Sequence, residues 1–185
     1  ERKVRSLYFD DLNLPSCAQN IDGLSVRNKF RARWYGKTFC EINNGNFESK
    51  LKNNSTNSKK IWPLSPFKLN ENDCLEHIHQ KVYKANNSVD LKKILLTLKP
   101  IALTEYDRKY FENKHNDVRI TIDYNINFRK ASNLKITSNF NRFCILEIKF
   151  GGHNKDSYYS LINKFSYRST RMSKYINALN TLSII

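Results

Sequence analysis

Residues Ser25 to Gly36 read SVRNKFRARWYG, in which basic residues alternate with residues of other types. Successive side chains of a β-strand point to opposite faces, so this alternation predicts a strand with one cationic face and one apolar face. Like charges along one face repel each other unless an anion lies among them. We therefore interpret this face as an anion-binding surface. Its basic residues are Arg27, Lys29, Arg31 and Arg33, while Val26, Phe30 and Trp34 belong to the other face.

The overall composition also points to a polyanionic partner. The 185 residues include 32 Lys and Arg against 17 Asp and Glu, which gives a formal net charge of +15. Such an excess favours nucleic acid, an anionic membrane or phosphate chains as partner, but it does not distinguish between them. The length fits one domain with a sizeable core, and we expect a single domain over residues 1–185.

The cysteines and the hydropathy argue against several classes of protein. Four cysteines lie far apart without a CxxC pair, so neither a zinc site nor a dense disulfide framework is indicated. We expect reduced thiols in a cytoplasmic protein. No stretch approaches the roughly 20 apolar residues that cross a membrane, so we expect no membrane span in this chain. The cysteines are Cys17, Cys40, Cys74 and Cys144.

Several further segments combine one charged or polar face with one apolar face, as the first does. In residues 143–150, FCILEIKF, Glu147 and Lys149 alternate with Leu146 and Ile148. The same pattern predicts strands at 3–10 (KVRSLYFD), 47–52 (FESKLK), 59–64 (KKIWPL), 101–112 (IALTEYDRKYFE) and 118–124 (VRITIDY), with a polar loop at 53–58. Helices are expected from Asp73 to Leu98 with a break near 86–88, and at 158–165 and 173–182.

The apolar strand faces need a cover, and the helices can supply it on the outer side of the sheet. The charged faces then turn toward one another, which gives an α+β fold: an antiparallel β-barrel or tunnel with a charged lumen and flanking helices. A flat sheet with an open basic face is the alternative, and periodicity alone does not separate the two.

Three carboxylates lie on the charged faces, among the cations: Glu48, Asp123 and Glu147. They would weaken the attraction for a polyanion, but a divalent metal held against phosphate oxygens needs carboxylate ligands. For Glu48 and Asp123, internal ion pairs with neighbouring Arg and Lys explain the pattern equally well. Glu147 is the strongest candidate for a metal ligand.

Taken in order, VRSLYFDD, KFRARWYG, FESKLK, the pair EYDRKYF and VRITID, ILEIKF and SKYINAL resemble the VTC domain. This is the polyphosphate polymerase domain of the vacuolar transporter chaperone family and its bacterial relatives. The family belongs to the triphosphate tunnel metalloenzymes, so the resemblance implies a closed antiparallel barrel with charged walls. It also implies transfer of the terminal phosphoryl of ATP to a growing polyphosphate chain, with Mn²⁺ or Mg²⁺ assisting. ATP and inorganic polyphosphate would be the partners.

The resemblance also implies roles for individual residues. Glu147 would be the metal ligand, and no GxxxxGK loop is present, so side chains would form the phosphate site. The matching position after the second basic strand is either Lys59 or Lys60. The expected catalytic cations are Arg31, Arg33, Lys50, Arg108, Arg119 and Lys174. The expected substrate-binding residues are Arg5, Lys29, Lys52, Lys59, Lys60, Lys149 and Ser173.

One departure from the family pattern leaves alternatives open. Family members usually begin with a further strand that carries its own acidic and basic residues, and the sequence has no counterpart before VRSLYFD. We therefore expect either an N-terminally incomplete domain or a tunnel that lacks one wall. The alternatives to the polymerase are a triphosphate or polyphosphate hydrolase on the same fold and a non-catalytic polyphosphate-binding module. Nucleic-acid binding is a more distant alternative.

Overall fold

The computed structural model describes residues 1–54, 56–114, 118–140, 143–150, 162–166 and 168–185. Its main element is an antiparallel sheet of eight strands, ordered β10-β8-β7-β1-β2-β4-β5, with β9 also paired to β8. The strands are β1 Arg2–Asp10, β2 Val26–Tyr35, β3 Glu41–Ile42, β4 Asn46–Asn53, β5 Thr56–Pro63, β6 Phe67–Lys68, β7 Lys99–Glu112, β8 Val118–Lys130, β9 Asn133–Asn139 and β10 Ile145–Phe150. The helices are α1 Pro15–Ile21, α2 Leu75–Lys84, α3 Val89–Thr97 and α4 Lys174–Thr181, and β3 pairs with β6 in a separate ribbon.

Helices α2 and α3 cover the apolar side of the sheet, which we call the outer face. Leu7 and Phe9 of β1 pack there, in a core that includes Ile78 of α2 and Leu91 of α3. Ser88 begins α3 by accepting a hydrogen bond from the Leu91 backbone N–H, as an N-cap residue does. The predicted pair of helices between Asp73 and Leu98, with its break near 86–88, is confirmed.

Helix α4 packs on the opposite side of the sheet, the inner face. Its Ala178 and Leu182 join a core that contains Val4, Tyr106 and Phe128. The helix expected at 173–182 is therefore confirmed, but its expected place on the outer side was wrong. The physical reason is that the inner face is not wholly charged, since its apolar part also has to be covered. The helix predicted at 158–165 lies largely outside the described residues.

The Tyr175 hydroxyl secures α4 at one end of the inner face. It donates a hydrogen bond of 2.7 Å to Asp10, a fully buried carboxylate that also accepts from the backbone N–H groups of Ser16 and Cys17. Burial and the negative charge of Asp10 raise the pKa of Tyr175 above its usual value. This contact joins the last helix to β1 and α1, although they lie far apart in the sequence.

The sheet curves around its inner face. Lys29 on β2 donates to the Ser173 hydroxyl at 3.0 Å, while the next residue, Lys174, binds Asp123 on β8 at 2.5 Å. In a flat sheet, β2 and β8 would lie roughly 14 Å apart, given three strand spacings. Two consecutive residues reach both strands because the sheet bends. The predicted tunnel-like α+β fold is confirmed, but within the described residues β5 and β10 do not pair, so the sheet is not closed.

Two expectations about local structure were wrong. Strand β5 begins at Thr56, inside the predicted polar loop at 53–58, and strand β9 was not predicted. Both strands lie along a sheet edge, and β5 is exposed along most of its length. Edge strands bury little apolar surface, so their sequences carry no clear apolar alternation.

Candidate functional site

The strand register assigns the predicted site residues to faces. On β2, Arg31 and Arg33 lie opposite Tyr8 and Ser6 of β1, and Arg31 also lies opposite Glu48 of β4. Directly opposed residues of antiparallel strands share a face. The inner face therefore collects most of the predicted site: Lys29, Arg31, Arg33, Lys50, Lys52, Lys59, Arg108, Arg119, Glu147 and Lys149. Ser173 and Lys174 reach it from α4.

Glu48 binds two of these cations. Its carboxylate oxygens lie 2.7 Å from Arg31 Nη2 and 2.7 Å from Lys59 Nζ, and the residue is 6% exposed. Burial alone would raise the pKa of Glu48, but the positive charges of Arg31 and Lys59 hold it below the usual value. The carboxylate is therefore ionised and committed to internal ion pairs. Of the two sequence interpretations of Glu48, this agrees with the ion pair rather than the metal ligand.

Asp123 likewise binds two cations, on the other side of the inner face. It is fully buried, and Arg108 donates to its two oxygens at 2.5 and 2.7 Å. Lys174 lies 2.5 Å from the same carboxylate and 4.7 Å from the centre of the Tyr106 ring. Burial raises the pKa of Asp123, but the hydrogen bonds and charges of Arg108 and Lys174 outweigh that effect and lower it. The contact holds the first residue of α4 against β8.

The remaining inner-face cations of β2 and β4 lack such partners. Within the described part of the chain, no carboxylate forms an ion pair with Arg27, Lys29, Arg33, Lys50 or Lys52. We call these five residues the unpaired cations. Arg33 donates instead to the Ser6 hydroxyl at 3.0 Å and to the Tyr106 hydroxyl at 3.2 Å.

The unpaired cations produce a strongly positive local field. Burial lowers the pKa of Lys29, and the charges of Arg27 and Lys50 contribute to that lowering. The same field acts on Tyr8. Burial would raise the pKa of Tyr8, but the positive charges of Arg31 and Arg33 lower it below the usual value. The free energy of these charges falls when an anion approaches, because the anion relieves their mutual repulsion.

The charge of Lys50 is influenced by residues at the opposite margin of the curved sheet. Partial burial lowers the pKa of Lys50, and the positive charge of Lys149 on β10 lowers it further. The negative charge of Glu147 acts in the opposite direction and raises this pKa. In a flat sheet β4 and β10 would stand roughly 24 Å apart, given five strand spacings. Charges screened by water would have little influence over that distance. The curvature of the sheet therefore brings Lys149 and Glu147 within electrostatic reach of Lys50.

Glu147 is an inner-face carboxylate that is not held by two cations. Its only described ion pair is with Lys149, at 3.4 Å, and both side chains are largely exposed. Directly opposite lies Thr121, which is 4% exposed and whose hydroxyl has no hydrogen-bond partner among the described residues. Carboxylate and hydroxyl oxygens are hard ligands of the kind that Mg²⁺ and Mn²⁺ prefer. These two residues therefore fit a metal that takes its other ligands from phosphate and water.

A metal site made by the protein alone does not fit. Among the described residues, no group of three or more His, Cys, Asp and Glu side chains is arranged to hold a metal ion. Glu48 and Asp123 are each engaged by two cations. A divalent ion at Glu147 would therefore need phosphate oxygens and water for most of its coordination.

Two predicted site residues lie on the outer face instead. Arg5 donates to the Thr38 hydroxyl at 2.8 Å and lies 3.8 Å from Glu105. Lys60 lies 3.2 Å from Asp90 of α3 and 4.9 Å from the Trp62 ring centre. The register therefore separates both residues from the inner-face cations, whereas Lys59 lies on the inner face opposite Lys50. For Arg5 the alternation along β1 could have shown its outward position, because Arg5 shares a face with the buried Leu7, two residues on.

The predicted site lacked several inner-face residues, among them Ser6, Tyr8, Arg27, Tyr106 and Thr121. The signal for Arg27 was present, since it continues the alternation of Arg31 and Arg33. Tyr106 could also have been found, two residues before Arg108. Ser6 and Tyr8 carry no formal charge, and only the pairing of β1 with β2 places them beside the arginines.

Residues 1–183 match the family described as the VTC domain. The chain belongs to the VTC domain family. This family is associated with polyphosphate-metabolising enzymes, and the concave face of the chain is rich in arginine and lysine side chains. No curated protein matches the chain. Among the described residues, no helix is long and apolar enough to cross a membrane.

Proposed function

We propose that this VTC domain is a polyphosphate polymerase, which transfers the terminal phosphoryl of ATP to a growing polyphosphate chain. The observation that supports this most is the concave inner face. There a linear row of basic residues lies on β2 between two carboxylate-linked clusters, and no carboxylate in the described part of the chain forms an ion pair with Arg27, Lys29 or Arg33. A row of cations along one strand matches a linear polyanion with a negative charge on each phosphate.

The cations of the site have different tasks in this proposal. Arg31, Arg33 and Arg108 offer planar guanidinium groups, which bind two phosphate oxygens at once. Lys29 and Lys50 offer mobile point charges, which suit a chain that has to move after each addition. Glu48 and Asp123 hold Arg31 and Arg108 at fixed positions, so little reorganisation is needed when the substrate binds.

Phosphoryl transfer needs alignment and charge stabilisation more than a protein nucleophile. The arginines would align the terminal phosphate of ATP with the end of the acceptor chain and stabilise the negative charge of the transition state. Glu147, with Thr121, would hold a Mn²⁺ or Mg²⁺ ion, which neutralises phosphate charge when bound. No residue has to form a covalent intermediate.

The hydrolase and the binding module remain the competing functions. A hydrolase would use the same cations with water as acceptor, so its product would be orthophosphate rather than longer chains. A binding module would keep the affinity for polyphosphate without turnover.

The direct test is incubation of the protein with ATP and Mn²⁺, followed by separation of polyphosphate on a gel. The proposal predicts chains that lengthen with time, and a Glu147→Gln variant that loses turnover by more than about 10-fold but keeps its affinity for polyphosphate. Lys60→Gln, which changes the outer face, is the matched control and should keep turnover. Release of orthophosphate alone would favour the hydrolase. Tight polyphosphate binding without any product would favour the binding module.

A further inference from the structure

The inner face changes from basic to aromatic at one end. On β2 the inward row runs Arg31, Arg33, Tyr35, and on β7 it runs Tyr106, Arg108, Tyr110. Tyr35 and Tyr110 each lie two residues beyond an arginine of the same face, which corresponds to roughly 7 Å along a strand. On β7 the inward row continues to Glu112, which forms an ion pair with Arg119 at 2.7 Å. Both tyrosines lie near the same margin of the site.

These two tyrosines are accessible, unlike the tyrosines within the site. Tyr35 is 48% exposed and Tyr110 is 40% exposed, whereas Tyr106 is 1% exposed. The Arg2 guanidinium lies between the accessible rings, 5.7 Å from the centre of Tyr35 and 5.5 Å from that of Tyr110. Among the described residues no carboxylate forms an ion pair with Arg2. This end of the face thus offers stacking surfaces and one unpaired positive charge.

Arg108 connects this platform to the phosphate site. Its guanidinium lies 5.6 Å from the Tyr110 ring centre and also binds Asp123. Arg2 and Arg108 are directly opposite each other on paired strands. By register, Tyr35 is level with Tyr106 across Val4, and Arg2 and Arg108 lie two residues farther out, so the two guanidinium groups lie between the rings of Tyr35 and Tyr110. The remaining cations begin with Arg33, two residues inward of Tyr35. A nucleoside triphosphate whose base lies against these rings has its phosphates beside Arg108 and Arg33.

We propose that Tyr35, Tyr110 and Arg2 form the nucleobase platform of this domain, so that ATP binds with its base at this end and its phosphates toward Arg33 and Arg108. The proposal rests on the polymerase function and adds a direction to it. The polyphosphate chain then extends toward the other end of β2, where Arg27 and Lys52 lie opposite each other without described carboxylate partners. Base stacking on aromatic rings is tolerant of base identity, so we expect little discrimination between ATP and GTP.

The test compares two ligands that differ in the presence of a nucleoside: ATP and inorganic tripolyphosphate. Calorimetry with chelated metal avoids turnover. Tyr35→Ala and Tyr110→Ala should each weaken ATP binding by roughly 10-fold, the value of one stacking contact, and leave tripolyphosphate binding unchanged. Tyr110→Phe should bind ATP like the wild type, because the ring remains. Unchanged tripolyphosphate binding also verifies that the variants are folded.

Tyr124→Ala is the matched control, since Tyr124 lies on the outer face beside Lys109. It should not change the affinity for either ligand. Equal losses for ATP and tripolyphosphate in the platform variants would overturn the nucleobase platform, and so would wild-type affinity for ATP in both. A further outcome is that the wild type binds ATP and GTP no more tightly than it binds tripolyphosphate and polyphosphate. In that case the nucleobase platform is wrong, while the polyphosphate function stands. If the wild type binds none of these ligands, the proposed function itself fails.

Discussion

Two groups of inner-face cations differ in what surrounds them. Arg31, Lys59, Arg108 and Lys174 share the carboxylates of Glu48 and Asp123 at 2.5–2.7 Å. The unpaired cations have no such partner in the described structure. Paired cations are fixed in place, and each carboxylate offsets one of two positive charges, so the pairing contributes to stability and holds Arg31 and Arg108 in position for phosphate. Unpaired cations destabilise one another until an anion arrives, so they contribute to binding.

The largest expected effect concerns the paired group. Asp123→Ala should lower the free energy of unfolding by about 3–5 kcal/mol, because it leaves Arg108 and Lys174 without their buried partner. Denaturant titration measures this change. Asp90→Ala is the control, since it removes an exposed partner of Lys60 and should change stability by less than about 1 kcal/mol. Similar losses in the two variants would remove the distinction between structural and ligand-binding charges.

The second effect concerns the unpaired group. Arg33→Ala should weaken polyphosphate binding roughly 10- to 100-fold, since a hydrogen bond to a charged group contributes about 1.5–3 kcal/mol. Its effect on stability should be much smaller than that of Asp123→Ala, because the partners of Arg33 among the described residues are the hydroxyls of Ser6 and Tyr106. Fluorescence anisotropy with labelled polyphosphate measures the affinity. A stability loss as large as that of Asp123→Ala, without loss of affinity, would reverse the two assignments.

The smallest effect is a dependence on pH. The pKa values of Lys29 and Lys50 lie below the ordinary value near 10.4 when the protein is folded. Between the folded and unfolded pKa values the unfolded chain binds more protons, so these lysines make the protein more stable as pH rises toward 10.4. Polyphosphate affinity should fall over the same window, because the lysines lose their charge.

A Lys29→Gln/Lys50→Gln variant isolates that contribution from other groups that titrate at high pH. The difference in unfolding free energy between wild type and variant should increase in favour of the wild type as pH rises. A difference that decreases with pH would mean that the two lysines are stabilised, rather than strained, in the free protein.

Much of this site could be predicted from alternation alone. The basic residues of β2 and the acidic and basic pair of β10 were assigned to one face by their spacing, and the strand register places them there. The misplaced residues are Arg5 and Lys60, which lie on strands where the outer face also carries charge. Spacing defines two faces of a strand, but residues on neighbouring strands decide which one is inner.

The position of α4 could not be predicted in this way. Its sequence indicates an amphipathic helix, and nothing local shows which side of the sheet it covers. That choice depends on Val4 and Phe128, which form an apolar area within the charged face, and on the buried contact between Tyr175 and Asp10. The pairing of Asp123 with Lys174 has the same origin, since it exists only after α4 has docked.

The most direct test of the division between paired and unpaired cations is calorimetry of linear polyphosphate with two double variants. Lys29→Gln/Lys50→Gln removes two unpaired inner-face charges. Lys84→Gln/Lys93→Gln removes the same charge from exposed positions on α2 and α3. The account predicts that the inner-face variant loses at least about 10-fold in affinity while the helix variant stays within about 2-fold of wild type. Equal losses would mean that polyphosphate responds only to net charge, and would contradict a binding site on the inner face.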